Sequence, residues 1–561
     1  MDFARYCPSP LLMMTLVCVV GCARLLGLQS SPSLTLNSGT YRIAGTVISS
    51  TGGTPLARAR VTIADAKNLQ RRHWMITGDD GHFEFDQAGA GKYSLQGAKK
   101  GFIRAAYEEH EQYSTAIVTG AGVDTEHLIF RLSPSAVLAG RVLDESGEPV
   151  RRANVIAYRE DRRAGISRIL RFDAQLTDDR GSFEIAPLDP GTYFLSASAA
   201  PWYAVHPLAS RTAGTENMAI MVDRSLDVAY PLTFYADVTD SDEATPIPVR
   251  GGDRIQVDIH LNPSPALHLL FRAPESSGEG GRGINMPQLQ KRAFDSADWV
   301  QTGGTTQMVS PGLFEITGVA PGRYFVRSQN SAGQPSPDSG EVDLNTNGQE
   351  LEASSNGALA NLKASVQITG MPKIPDRLMI ALLNSRHLGV AAQPVDAQGQ
   401  VEFNDLVPGQ YSIVAGSPGK EYSIVQMTSQ GDTPPRHVVN VEPGASLNLR
   451  LTLVTGEATV EGFAKRDGKP VAGAMIVLVP KNPESNRDLF RRDQSDLDGS
   501  FSLRSVIPGA YTVVAIEDGW DLDWSEPGVI AHYCQRGRPI QVTDRAEGVV
   551  RLNAAVEAQA K

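Results

Sequence analysis

Apolar and polar residues alternate in short runs along much of the chain, and turn-forming residues separate the runs. One such unit recurs five times. A Gly-x-Phe element begins a two-residue alternation, and a Tyr follows ten residues after the Phe, preceded by Pro-Gly-x or a close relative. The copies run from Asp80-Gly81-His82-Phe83-Glu84-Phe85 to Gly91-Lys92-Tyr93, and from Gly181-Ser182-Phe183-Glu184-Ile185 to Pro190-Gly191-Thr192-Tyr193. The next run from Gly312-Leu313-Phe314 to Tyr324, from Gly399-Gln400-Val401 to Tyr411, and from Gly499-Ser500-Phe501 to Tyr511. Positions 83, 183, 314, 401 and 501 are spaced 100, 131, 87 and 100 residues apart. The alternation marks strands with one buried face. The Asp-x-x-Gly turns and the Pro-Gly pairs (read as the centre of type II turns) predict a β-meander in each copy.

Upstream, three copies carry a second phrase: Gly45-Thr46-Val47 with Ala59-Arg60-Val61, Gly140-Arg141-Val142 with Ala153-Asn154-Val155, and Gly462-Phe463-Ala464 with Ala474-Met475-Ile476. The spacing predicts an all-β chain of five small Greek-key sandwiches: residues 41–133, 134–263 (with a basic insertion at Arg159 to Arg171), 264–355, 356–455 and 456–561. Residues 1–29 form a signal peptide and 30–40 a leader. Short polar or Pro/Gly joints between units predict an elongated, semi-stiff string. The five tyrosines, kept in every copy, are assigned to the cores.

Together these phrases resemble the carboxypeptidase regulatory-like domain, a transthyretin- or prealbumin-like sandwich akin to CnaB modules. The likeness is close in copies one, two and five and partial in three and four. Multi-copy exported chains of this kind are similar to envelope proteins of soil bacteria such as acidobacteria. The resemblance implies fold and export, and it implies no activity.

The N-terminus fits export. Leu11 to Ala23 is an apolar run too short to span a bilayer, which takes about 20 residues. It ends in Val19-Val20-Gly21-Cys22, similar to the box at which bacterial lipoproteins are acylated on Cys. Cys22 is therefore the candidate lipid anchor and the only expected membrane link; cleavage before Ser30 or Ser31 is the alternative. Cys7 and Cys18 fall within the signal, so no disulfide framework is expected, and Cys534 reads as a packed side chain.

Composition narrows function by exclusion. The 561 residues include 53 Gly and 35 Pro, and 41% are hydrophobic, as in ordinary folded protein. With 52 basic and 63 acidic residues the net charge is −11, which argues against a nucleic-acid partner. None of the ten His residues begins a His-x-x-Glu pair, so the zinc-peptidase half suggested by the family name is missing. Gly-x-Ser-x-Gly and a phosphate-binding loop are missing too. The Asp pairs at the turns read as turn formers rather than calcium ligands. No catalytic, metal or cofactor residue is therefore assigned, and no small-molecule substrate is indicated.

The expected role is structural, adhesive or binding, at the bacterial envelope, with a glycan or another envelope protein as partner. A carbohydrate-binding alternative rests on loop aromatics: Trp202 and Tyr203, and Trp520 and Trp524, which bracket Asp521 and Asp523. The third reading is an accessory chain of a peptidase system, or an enzyme with an unrecognised site. Such an enzyme requires a deep pocket between modules with clustered His and carboxylates.

Overall fold

A computed structural model describes residues 39–561 apart from 121, 207–222, 273–286, 296–298, 302–304, 311–312, 329–340, 353–359, 384–388, 407, 419, 430–436, 457 and 544–547. Cys22 and the N-terminal address lie outside the described residues. The chain is all-β, with Pro527–Cys534 the one α-helix among the described residues.

Five separate cores carry the array, and each contains its copy of the recurring tyrosine and of the Phe or Val ten residues earlier. In the first module the Tyr41–Ser49 strand lies between His82–Ala88 and Leu128–Leu132. The facing sheet runs Asn68–Ile76, Arg60–Asp65, Gly91–Ala98. The two inner faces interdigitate around Phe83, Tyr93 and Phe130. In every module the opening strand pairs in parallel with the closing one, as Gly45 with Leu128 and Asn361 with Ser446.

The repeated phrases have local causes. Gly81, Gly181, Gly399 and Gly499 hold φ between 69° and 79°, and a Cβ on any of them would stand 2.5–2.6 Å from a facing carbonyl oxygen. Their own carbonyls accept from the opening strand, as Gly81 O does from Val47 N at 2.9 Å. The tyrosine hydroxyls donate four residues back: Tyr93 to Gly89 O (3.0 Å), Tyr193 to Asp189 O (3.0 Å), Tyr324 to Ala320 O (2.7 Å) and Tyr511 to Ile507 O (2.7 Å). Each bond satisfies the polar end of an otherwise buried ring and pins the corner that precedes it.

The type II turn expectation fails at the Pro-Gly pairs. Gly191 and Gly409 are extended at φ 158°, and the strand begins at the glycine itself. Before this corner the strand carries a bulge common to all five modules, and its pairing with the opening strand resumes beyond it. In the first, Ile43 faces Phe85 but Tyr41 faces Ala88, with Gln87 at φ 61°. The same slip occurs between Ile185 and Leu188, Ile316 and Val319, Phe403 and Leu406, and Leu503 and Val506.

The open string expected from the short joints is also corrected. The fifth module folds back onto the first. Leu497 N donates to Ala116 O (3.1 Å), Asp496 Oδ1 accepts from Ala116 N (2.9 Å), and Leu497 packs on the first core. Hydrogen bonds between residues some 380 positions apart outweigh the direction set by the joints.

Candidate functional site

The fold-back creates a seam where three modules meet, and Arg492 is its centre. Its guanidinium lies 4.3 Å from the Trp524 ring centre and 5.3 Å from that of Tyr113. Its Nη2 donates to Glu111 Oε2 at 2.6 Å and to Arg163 O at 3.3 Å. The side chain is 3% exposed, so one cation ties the first, second and fifth modules together in a desolvated setting.

Around it, Gln494 Nε2 donates to Glu108 O (2.6 Å) and Thr115 Oγ1 (2.8 Å), and Lys92 Nζ meets Asp496 Oδ2 at 2.5 Å. The His110 ring stacks on Trp520 at 4.9 Å and 5°. Glu108 and Glu111 hold left-handed backbone, φ 49° and 56°, a strain of about 1 kcal/mol each that the seam contacts offset. From the second module, Gly165 O accepts from Ser525 N (3.0 Å), and Arg162 pairs with Asp523 (3.4 Å).

Beside the seam lies a cleft of about 920 Å³, walled by all three modules. Arg104 and Arg131 of the first module face Arg159 and Asp161 of the second and Asp518 of the fifth. His110 is the only imidazole in the lining, and it is engaged by Trp520 and by Gln494 (3.2 Å). The clustered His that an unrecognised hydrolytic site would need is not in this cleft. Among the described residues, no group of three or more His, Cys, Asp or Glu is placed to hold a metal ion.

The four sequence-predicted aromatics separate into two environments. Trp520 is half-buried with one face stacked on the protein's own His110, and Trp524, 7% exposed, lies against Arg492 and presents no open face to a sugar. Trp202 is 85% exposed, on a turn closed by Ala204 N to Pro201 O at 3.1 Å. Tyr203 and Tyr230 both donate to Glu145, the latter at 2.8 Å. Burial and this carboxylate push Tyr203 up to about 12, and the two hydroxyls hold Glu145 below its ordinary value against the cost of burial. Next to this turn, Pro201, His206, Tyr230, Lys291 and Tyr324 line a second cavity, about 380 Å³, between modules two and three. Cys534 is packed in the helix layer, and burial raises its thiol.

Sequence reasoning missed two groupings. Arg492 and Gln494 carry no motif. A relay also links modules two and three: His206 Nδ1 to Asp227 (2.9 Å), Asp227 to His268 Nε2 (2.7 Å), and His268 Nδ1 to Glu315 (3.5 Å). Its members lie far apart in the chain, so no local pattern announces it.

Residues 42–127 match the carboxypeptidase regulatory-like domain family, the span of the first sandwich. The first module is therefore similar to the carboxypeptidase regulatory-like domain. The bulge of this first module recurs in all four later modules, and its tyrosine bond in the second, third and fifth. No curated protein matches the chain. Among solved structures, the full-length major pilin RrgB from Streptococcus pneumoniae is 8% identical, with 92% of this chain and 99% of that one covered and a TM-score of 0.17. The Bacillus anthracis TIE protein is 10% identical, with 75% of each covered and a TM-score of 0.17. Two B repeats of the Staphylococcus aureus collagen-binding protein CNA are 10% identical, with 74% and 99% covered and a TM-score of 0.12. At such scores these structures carry no argument, and the regulatory-like likeness rests on the family match over residues 42–127.

Proposed function

We propose that the chain is an exported, non-catalytic protein of the bacterial envelope, in which five sandwiches form a fixed frame that presents binding surfaces. The observation that supports this reading is the Arg492 seam. A desolvated cation shared by three modules holds the frame in one shape, and surfaces from different modules then keep fixed relative positions. The N-terminal apolar run ending at Cys22 supports export. The test is expression in a bacterial host with the native N-terminus, followed by fractionation and mass analysis of the mature end. Retention of the uncleaved chain in the cytoplasm would overturn the location, and turnover of a peptide or glycan substrate would overturn the non-catalytic role.

A second reading, glycan binding, is favoured by the exposure of Trp202 beside the Glu145–Tyr203 pair. Glycan-array signal lost in Trp202→Ala supports it. Silence across the array removes it.

A further inference from the structure

The outward face of one sheet can be compared at equivalent positions in three modules, because a side-chain hydroxyl marks the register. Thr77, Thr177 and Ser495 accept from the backbone N–H of Ala59, Ala153 and Ala474 at 2.8–2.9 Å. From that mark, Thr62 opposite Trp74 and Gln96 corresponds to Ile156 opposite Ala174 and Ser196, and to Val477 opposite Arg492 and Val514.

In the second module this face is covered. Ile156 and Tyr158 are buried under Leu232, Phe234 and Phe294, with the Phe294 ring 5.0 Å from Tyr158. In the fifth it is covered as well: Met475, Val477 and Val479 lie under Trp524, Ile530 and Tyr533. In the first module no described residue forms such a layer. Trp74 is 63% and Ile76 47% exposed. Arg60 and Arg72 share that face by register and make no ion pair among the described residues. None of the face positions (Arg60, Thr62, Ala64, Arg72, Trp74, Ile76, Ser94, Gln96, Ala98) carries a carboxylate, on a chain of net charge −11.

We propose that this face docks a segment of a partner protein in which aromatic or aliphatic residues alternate with Asp or Glu. The chain's own cover in the fifth module indicates the chemistry. The segment Trp520-Asp521-Leu522-Asp523-Trp524-Ser525-Glu526 lays Trp524 on Arg492, while Asp523 and Glu526 pair with Arg162 and Arg487 at 3.4 and 3.2 Å. The first module offers the same two components, an indole and guanidinium groups, on its sheet. A partner strand or helix would place apolar side chains on Trp74 and Ile76 and carboxylates on Arg60 and Arg72. A large exposed aromatic rimmed by unpaired cations is the composition of a hot spot awaiting its complement.

The test selects a random-peptide display library against the mature chain, with counter-selection on Trp74→Ala. It is run in parallel with sedimentation on phosphatidylglycerol and on phosphatidylcholine vesicles. The expected result is enrichment of peptides rich in Asp or Glu with Trp, Phe or Leu. Their binding should fall at least about tenfold in Trp74→Ala and in Arg60→Gln/Arg72→Gln, and be unchanged in Trp202→Ala. Matching melting curves for the variants keep loss of binding separate from loss of fold. No enrichment over the counter-selected variant overturns the proposal, as does a basic or uncharged consensus. Sedimentation with the anionic vesicles without peptide enrichment also overturns it and assigns the face to a membrane surface. These outcomes do not depend on whether the chain is exported, so failure here and failure of the proposed function are distinguishable.

Discussion

Arg492 and Glu111 meet at 2.6 Å across the junction of the last and first modules, with Trp524 beneath the guanidinium. Removing the cation leaves a carboxylate in the seam without its partner, and breaking a buried pair costs about 3–5 kcal/mol. Arg492→Ala is therefore expected to open the frame, with a larger radius of gyration by small-angle scattering and an earlier melting transition. Arg492→Lys restores little, since an ammonium cannot make the forked bond and stack at once.

Asp493, one residue along and on the opposite face of the strand, gives the fifth module a pH dependence. Burial pushes its carboxyl up to about 6, with the Asp496 charge adding to the effect; Ser502 N, Gln494 N and Lys92 oppose it. The unfolded group titrates near 3.9, so the folded state binds this proton more tightly. Its contribution to stability is then fully present below about pH 4 and is lost as pH rises through about 6. Asp493→Asn should raise stability at pH 8 by about 2 kcal/mol or less and leave it unchanged at pH 4, as read by urea denaturation at both values.

The tyrosine corner separates a bond from a core. Tyr511→Phe removes the donor to Ile507 O, and a loss of about 1 kcal/mol is expected. Tyr511→Ala empties part of the fifth core and should cost about 3–5 kcal/mol. Equal losses for the two variants in guanidinium titrations would contradict the assignment.

Two glycines provide a paired test of close strand approach. A Cβ on Gly140 would stand 1.6 Å from Val257 O, whereas Gly416 has no neighbour within 4 Å. Gly140→Ala should cost the second module about 3 kcal/mol or more, and Gly416→Ala should change stability by less than about 1 kcal/mol. Domain-resolved hydrogen exchange distinguishes the two.

The meander was readable because its physics is local: the left-handed turn at Gly81, the alternation at Phe83 and Phe85, and the buried Tyr93 each leave a residue-type signature that repeats. The shared bulge was not readable, since the equivalent position within it is held by Gln87, Pro187, Gly318, Asp405 and Ser505, which share no residue type. At the Pro-Gly pairs the sequence pointed to a type II turn, where Gly191 and Gly409 instead open the next strand in extended backbone. The seam was hidden for a different reason. Arg492, Glu111 and Trp520 are ordinary surface types until the fold-back brings them together, which is also why Trp520 and Trp524 read as open ligand platforms.

The parallel pairing of opening and closing strands has a mechanical consequence. Within each module, a pull along the chain strains the hydrogen bonds between those two strands lengthwise and together, instead of peeling them apart one at a time. Under tension the frame should give way first where the last module leaves the first, and the individual sandwiches should hold at loads that have already opened that seam.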